Sequence, residues 1–124
     1  MSRILIVEDD EDVRALIGHK LRRAGFDVAE AGDGEEGLAA ARASRPDLIV
    51  LDWMMPKLTG IQVCAQIRSD TELPQPRILL LTAKSQDSDI ALAMATGADA
   101  YLIKPFRAND LLEQVTALLD APAA

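Results

Sequence analysis

Cysteine and histidine occur only once each in this chain of 124 residues. The lone cysteine, Cys64, excludes an internal disulfide and a cysteine-rich zinc site, and it fits a reducing compartment. The lone histidine, His19, excludes a metal site built from several histidines and argues against a Ser-His-Asp triad. Any catalytic or binding chemistry must therefore come mainly from carboxylates, hydroxyls and amines.

Long hydrophobic runs and excess positive charge are also missing. The longest apolar runs, such as 48–51 and 78–81, fall far below the ~18 residues of a membrane span. The first three residues lead directly into an apolar strand pattern, so we expect no signal peptide. Twenty acidic and 13 basic residues give a net charge of −7, which argues against binding of nucleic acid or anionic lipid by this chain. We expect a cytoplasmic protein without membrane contact.

The length fits one domain, and a composition of 49% hydrophobic and 27% charged residues excludes disorder. Short apolar or extended segments alternate with helical patterns, which predicts five β-α units and a three-layer α/β sheet. Several of these segments are continuously apolar, as expected for strands buried on both faces. The predicted strands are Arg3–Glu8, Phe26–Ala31, Leu48–Leu51, Arg77–Thr82 and Ala100–Ile103.

Apolar stripes at helical spacing mark the helices between and after these strands. The first predicted stripe contains Val13, Leu16, Ile17 and Leu21, and the last runs from Leu111 to Leu119. Weaker stripes include the pair Ile90 and Met94 in the fourth helix. Asp10 and Ser85 stand where helix N-caps are expected, and Gly25 and Gly97 stand where helix C-caps are expected.

Polar side chains follow the predicted strands at the edge where ligands bind in such sheets. Glu8 and Asp9 follow the first strand and Asp52 follows the third. Three carboxylates at one edge repel one another by about 4 kcal/mol per pair at 4 Å and an effective dielectric of 20. A hard divalent cation would relieve this repulsion, and Mg²⁺ takes such carboxylate ligands. The acids from Asp10 to Asp12 have a simpler explanation, because acids are favourable at a helix N-terminus.

Thr82 and Lys104 complete the polar set at this edge. Lys104 follows the fifth strand and precedes a proline, and the acids across the edge favour an ion pair for it. Its ammonium also suits a phosphoryl oxygen. Taken alone, Thr82 is better explained as a β-branched strand residue.

A glycine pattern at Gly32, Gly34 and Gly37 imitates a dinucleotide fingerprint, with an acid twenty residues after its first glycine. Three acidic residues between and beside the glycines would repel a pyrophosphate, and the motif lies in the second β-α turn rather than the first. We interpret it as a glycine-rich turn.

Taken together, these residues resemble the receiver domain of two-component response regulators. The resemblance rests on Glu8-Asp9, Asp52, Thr82 and Lys104-Pro105, with lesser matches at Met55-Pro56, Gly60 and Lys104-Pro105-Phe106. It covers essentially the whole chain. It implies a single doubly wound (βα)5 flavodoxin-like fold with parallel strand order 2-1-3-4-5. We assign residues 1–120 to the receiver domain and 121–124 to a tail or the start of a linker.

The resemblance also implies a mechanism and a set of partners. Asp52 would accept a phosphoryl group from a phosphohistidine on a sensor histidine kinase or a histidine phosphotransfer protein. Mg²⁺, or Mn²⁺ in its place, would be held by Asp9, Asp52 and the backbone carbonyl of Met54, with Glu8 acting through water. Thr82 and Lys104 would contact the phosphoryl group.

Further roles follow from the same resemblance. Tyr101 would turn inward as Thr82 moves, switching a face made by the fourth helix, fifth strand and fifth helix for an output partner that the sequence does not identify. The positions of Met54 and Lys84 tune the phosphoryl lifetime in the family. Ala100 stands where receivers fused to winged-helix DNA-binding domains often carry an acid, which argues against their dimer of charged faces. Such a domain catalyses only its own phosphorylation and dephosphorylation, so we do not class it as an enzyme.

Two alternatives stay open beside this interpretation. A Mg²⁺-dependent phosphohydrolase would also use an aspartate nucleophile, but it needs a second acid two residues later as a general acid, and Met54 occupies that position. A phosphate-independent interaction module is the other alternative, and the complete set of acid, threonine and lysine argues against it.

Overall fold

The central feature is a parallel sheet whose three inner strands are largely apolar and buried. In a computed structural model that describes residues 2–83 and 86–120, five parallel strands pair in the order β2-β1-β3-β4-β5. The strands are β1 (Arg3–Val7), β2 (Asp27–Ala31), β3 (Leu48–Asp52), β4 (Arg77–Thr82) and β5 (Ala100–Ile103). The predicted strand order and the doubly wound α/β fold are confirmed.

Five helices connect and follow the strands. They are α1 (Glu11–Arg23), α2 (Gly34–Ser44), α3 (Gly60–Ser69), α4 (Asp87–Thr96) and α5 (Ala108–Asp120). Successive residues of a strand point to opposite faces, so β1 sends Leu5 and Val7 to one face and Ile4 and Ile6 to the other. The first face packs against α2, α3 and α4, and the second packs against α1 and α5. Covering on both faces explains why β1, β3 and β4 are continuously apolar.

The helix boundaries follow local capping chemistry, with one departure from the sequence-based prediction: the C-cap of α1 is Ala24, directly before the predicted Gly25. Asp10 is the N-cap of α1, and its carboxylate accepts hydrogen bonds from the amides of Asp12 and Val13. The N-cap of α4 is Gln86, whose side chain makes no capping hydrogen bond, and the Ser85 that the sequence suggested lies outside the described residues. Gly97 ends α4 with a φ of 121°, a left-handed conformation that favours glycine.

Two predicted core positions are on the surface. Leu16 of α1 is 57% exposed, because the stripe of α1 that faces the sheet consists of Ile17 and Leu21 with the partly buried Val13. Met94 is 43% exposed, and Ala93 is the residue of α4 that is buried. The first and fourth helices therefore present apolar side chains to solvent.

The glycines of the fingerprint-like motif serve packing. A Cβ at Gly34 would lie 2.6 Å from the backbone oxygen of Leu58, and one at Gly37 would lie 2.8 Å from a methyl group of Val7. These glycines let α2 approach β1 and the loop after β3 closely. Of the three glycines, Gly32 alone lies in the turn that the sequence predicts, because Gly34 and Gly37 belong to α2.

Candidate phosphoryl-transfer site

The polar residues predicted at the strand ends do converge at one edge of the sheet. Glu8 follows β1, Asp52 and Thr82 are the last residues of β3 and β4, and Lys104 follows β5. Glu8, Asp52 and Thr82 are 1%, 4% and 2% exposed, and they are the polar residues buried in the part of the chain that the structure describes. Burial of two carboxylates requires a nearby cation or a shared proton.

Lys104 supplies positive charge to both buried carboxylates. Its Nζ donates to Oε1 of Glu8 at 2.9 Å and lies 3.0 Å from Oδ1 of Asp52. Its own side chain is 30% exposed, so the ammonium stands between the buried acids and solvent. The Lys104-Pro105 peptide bond is cis, a point that the sequence left undecided.

The titration of Glu8 and Lys104 reflects this crowding. Burial raises the pKa of the Glu8 carboxyl, and its hydrogen bond with Asp52 raises the pKa further, while Lys104 lowers it by less. Burial lowers the pKa of Lys104, but its hydrogen bonds to Glu8 and Asp52 raise it more, and the net shift is upward. The ammonium is therefore firmly charged, whereas the Glu8 carboxylate is only partly compensated.

Three carboxylates lie close enough together to share a divalent cation. Glu8, Asp9 and Asp52 each offer one oxygen, and these oxygens all lie within 4.8 Å of one another. Asp9 is exposed while the other two acids are buried, so the cluster opens to solvent at Asp9. Such an all-oxygen site that is open to solvent suits Mg²⁺, which usually keeps several waters and binds proteins through one or two carboxylates. The donor set fits the ion that the sequence predicts.

The loop after Asp52 is fixed by backbone contacts. The amide of Trp53 donates to the carbonyl of Leu81 at 2.9 Å, and its carbonyl accepts from Gly60 at 2.8 Å. A Cβ on Gly60 would lie 2.3 Å from the carbonyl oxygen of Asp52, so only glycine permits this approach. Trp53 is buried, whereas Met54 is exposed. The role of the Met54 carbonyl stays a prediction, and Lys84 lies outside the described residues.

Thr82 and Tyr101 occupy neighbouring strands beside the site. The carbonyl of Thr82 accepts from the amide of Lys104 at 2.8 Å, which couples the ends of β4 and β5. Tyr101 is half-buried and packs against the core on the face that α4 covers. Both residues therefore lie where the sequence predicts a connection between the site and α4.

Several contacts around the site lie beyond the residues predicted for it. Lys57, in a left-handed conformation with φ 68°, places Nζ 3.3 Å from the Asp33 carboxylate that caps α2. Arg14 of α1 donates to the backbone carbonyl of Glu8 at 2.8 Å. The sequence does not predict the Arg14 contact, because a basic residue in the first turns of an amphipathic helix is already explained by its place on the polar face.

Comparison with known proteins agrees with the geometry. The family model described as "Response regulator receiver domain" matches residues 4–116. The Bacillus subtilis alkaline phosphatase synthesis transcriptional regulatory protein PhoP is 47% identical over 118 residues, which cover 95% of this chain and 48% of that protein. The DNA-binding response regulator MtrA of Mycobacterium tuberculosis is 43% identical over 126 residues, which cover 98% of this chain and 54% of that protein. The chain thus spans about half the length of these relatives.

Solved structures show the same fold. The chemotaxis protein CheY4 of Vibrio cholerae superposes with a TM-score of 0.89 at 33% identity, covering 95% of this chain and 98% of that one. The receiver domain of the Francisella response regulator 1452 gives a TM-score of 0.89 at 30% identity, with coverage of 96% and 97%. None of the helices within residues 2–83 and 86–120 has the length and apolar character that a membrane crossing requires.

Proposed function

Because the chain belongs to the response regulator receiver family, we propose that it accepts a phosphoryl group on Asp52 from a phosphohistidine and thereby switches a partner-binding face. The observation that carries the proposal is the contact of Lys104 Nζ with Asp52 Oδ1 at 3.0 Å beside two further acids. This arrangement joins a nucleophilic carboxylate to a fixed cation and a site for a second cation. Phosphoryl transfer depends mainly on positioning and on such charge stabilisation.

In the proposed reaction, one oxygen of Asp52 forms a bond to phosphorus as the P–N bond to the donor imidazole breaks. The imidazole leaves with that electron pair and takes a proton, and the product is an aspartyl phosphate. Lys104 stabilises negative charge on the transferring group, and the Thr82 hydroxyl would hydrogen-bond the product. Asp9, Asp52 and the Met54 carbonyl would hold Mg²⁺, and Glu8 would contribute through water. The bound ion would neutralise further negative charge on the phosphoryl group.

The surface beside Lys104 supports a protein as the phosphoryl donor. Val13 and Leu16 from α1 and Pro105 and Phe106 after β5 line an open, largely apolar pocket of about 370 Å³ that reaches Lys104. Leu16 is exposed there, as expected for a residue that becomes buried on docking. We propose a sensor histidine kinase or a histidine phosphotransfer protein at this surface. The proposal includes a cytoplasmic location, which the free, buried thiol of Cys64 fits.

The output side of the proposal is the face formed by α4, β5 and α5. A phosphoryl group brings a charge of about −2, which biases a two-state element through direct contacts. Thr82 ends β4 and Tyr101 lies on the neighbouring β5, where it packs on the face that α4 covers. Ala93 is the one residue of the described helix α4 that is fully buried, so α4 is only lightly anchored to the core. We propose that this face binds an output partner, and that binding of DNA, as named for MtrA, is not a property of these 124 residues.

Position 54 favours a phosphoacceptor over a phosphohydrolase. Its exposed methionine transfers no proton, so the site lacks the general acid that a hydrolase of this type requires. In our proposal, the chain catalyses only its own phosphorylation and dephosphorylation.

The test of the proposed function is phosphoryl transfer from phosphoramidate, a small donor with a P–N bond. The intact mass of the protein is measured after the reaction with Mg²⁺ and with excess chelator. We expect one added phosphoryl group with Mg²⁺ and none with chelator, and equal incorporation in both would contradict the proposal.

A further inference from the structure

The segment that carries Glu8 and Asp9 is held at its backbone from two directions. The amide of Glu8 donates to the carbonyl of Ala31 in β2 at 3.1 Å. The carbonyl of Glu8 accepts from Nη1 of Arg14 at 2.8 Å. That carbonyl belongs to the peptide group that joins Glu8 to Asp9, so the hydrogen bond fixes the plane from which the Asp9 side chain departs.

Arg14 is itself held in place by a chain of ion pairs. Its Nε lies 3.4 Å from Oε1 of Glu30 on β2, and Oε2 of Glu30 lies 2.8 Å from Nη2 of Arg22. The Arg14 side chain is only 19% exposed. A Cβ at Gly32 would lie 3.3 Å from Nη1 of Arg14, so the glycine leaves room for the guanidinium under the second β-α turn.

We propose that Arg14 is a positioning residue for the phosphoryl-transfer site, which acts through the Glu8–Asp9 peptide to present the Asp9 carboxylate to a divalent cation. The inference rests on the proposed function, because it concerns cation binding at that site. The guanidinium bonds the backbone carbonyl, so its role differs from that of Lys104, which contacts the reacting carboxylates themselves. Groups that orient metal ligands in this way typically change metal affinity by about tenfold or more when they are removed.

The direction in which Mg²⁺ affinity changes in Arg14→Gln distinguishes a positioning role from a purely electrostatic one. Arg14 is a cation close to a cation site, so loss of its charge alone should strengthen Mg²⁺ binding. Loss of the hydrogen bond to the Glu8 carbonyl should weaken it, because Asp9 would sample orientations that do not reach the ion. Weaker Mg²⁺ binding in Arg14→Gln can therefore not come from the lost charge.

The matched control is Arg22→Gln, which removes the same charge and the contact to Glu30 but has no bond to Glu8. Arg14→Lys keeps the charge but lacks the guanidinium group, so its Mg²⁺ affinity should lie between those of the wild type and Arg14→Gln. Gly32→Ala retains every charge and places a methyl group against Nη1 of Arg14. We expect it to change Mg²⁺ affinity in the same direction as Arg14→Gln, by a smaller factor.

The first readout needs no metal. A carbonyl that loses a charged hydrogen-bond donor changes the polarisation of its peptide group, so the amide ¹⁵N shift of Asp9 should change in Arg14→Gln and stay unchanged in Arg22→Gln. The second readout is Mg²⁺ affinity, followed by the emission of Trp53. We expect about tenfold weaker binding in Arg14→Gln and no weakening in Arg22→Gln.

The outcomes are distinguishable. Wild-type affinity in Arg14→Gln, or tighter binding, would overturn the role of Arg14 and leave the proposed function standing. An unchanged Asp9 amide shift would overturn it as well. Absence of Mg²⁺ binding in the wild-type protein would instead overturn the proposed function, and the inference with it.

Discussion

Lys104 and Asp52 are in contact although the strands that carry them are not neighbours. Lys104 follows the edge strand β5, Asp52 ends the central strand β3, and β4 lies between them. The long lysine side chain crosses the end of β4 to bring Nζ within 3.0 Å of Asp52 Oδ1 and 2.9 Å of Glu8 Oε1. One ammonium thus contacts two buried carboxylates, so their negative charge is only partly neutralised.

The first prediction concerns the divalent cation. Removal of the Asp9 carboxylate in Asp9→Ala should abolish the change in Trp53 emission on titration with Mg²⁺ or Mn²⁺, because Asp9 is the exposed member of the acidic cluster. Glu11→Gln is the matched control, since it removes one exposed negative charge outside the cluster. If Asp9→Ala titrates as the wild type does, Asp9 is not a ligand.

The second prediction concerns pH and stability in the absence of metal. The pKa of Glu8 is raised by burial and then by Asp52, so the folded protein binds this proton more tightly than the unfolded chain does. The free energy of unfolding should therefore fall as pH rises from the ordinary value of 4.5 through the folded-state pKa of Glu8. Glu8→Gln keeps a side-chain oxygen that accepts from Lys104 but has no carboxyl to titrate, so its free energy of unfolding should not show this fall.

Urea denaturation at several pH values, with chelator present, checks the prediction for Glu8. Glu8→Gln should be more stable than the wild type at pH 7, and the difference should vanish at acidic pH. Glu11→Gln, which removes an exposed charge, should not reproduce this gain. A Glu8→Gln protein that is less stable than the wild type at pH 7 would show that the carboxylate stabilises the fold.

The third prediction concerns the close approach behind the site. Gly60→Ala would place a methyl group 2.3 Å from the Asp52 carbonyl, and a backbone atom has little freedom to move away. We expect a loss of unfolding free energy of about 1–3 kcal/mol, as for overpacking in a core. In Gly18→Ala the nearest atoms are the ends of the Arg22 and Glu30 side chains, so its change should be small. Thermal unfolding of both variants measures the contrast.

The fourth prediction concerns the switch. Binding of a beryllofluoride mimic at Asp52 should shift backbone amides in residues 86–96 and 99–106 as well as those at the site. Thr82 ends β4, the neighbour of the strand that carries Tyr101, and Tyr101 packs on the face that α4 covers. Thr82→Ala should retain the shifts near Asp52 and lose most of those in α4. Shifts that stay confined to the loops around Asp52 in the wild-type protein would contradict the proposed output face.

The sheet and the main site residues were accessible from sequence because each has a local signal. Buried runs such as Leu48–Leu51 predict strands, and an acid directly after such a run predicts the position of Asp52. The strand ends differ by one residue: β1 stops at Val7, β2 begins at Asp27, and β3 includes Asp52. These differences arise because pairing with the neighbouring strand decides where the ladder ends.

The contacts that hold the site in place carry no such signal. The bond from Arg14 to the Glu8 carbonyl and the pair of Lys57 with Asp33 join side chains to partners that only the folded chain brings close. Leu16 matches the apolar spacing of α1 but faces solvent, because Ile17 and Leu21 already cover the sheet there. The spacing of apolar residues predicts which side of a helix is buried, whereas the width of the buried stripe depends on the elements that pack against it.

The most direct test of the account is phosphorylation by acetyl phosphate with Mg²⁺, read by intact mass and by mapping of the modified peptide. Asp52 alone combines burial at the end of β3 with contact to Lys104, so we expect one added phosphoryl group, located on Asp52. Asp52→Asn should incorporate none, while Asp47→Asn, at the opposite end of β3, should incorporate as much as the wild type. Undiminished phosphorylation of Asp52→Asn would contradict the central claim.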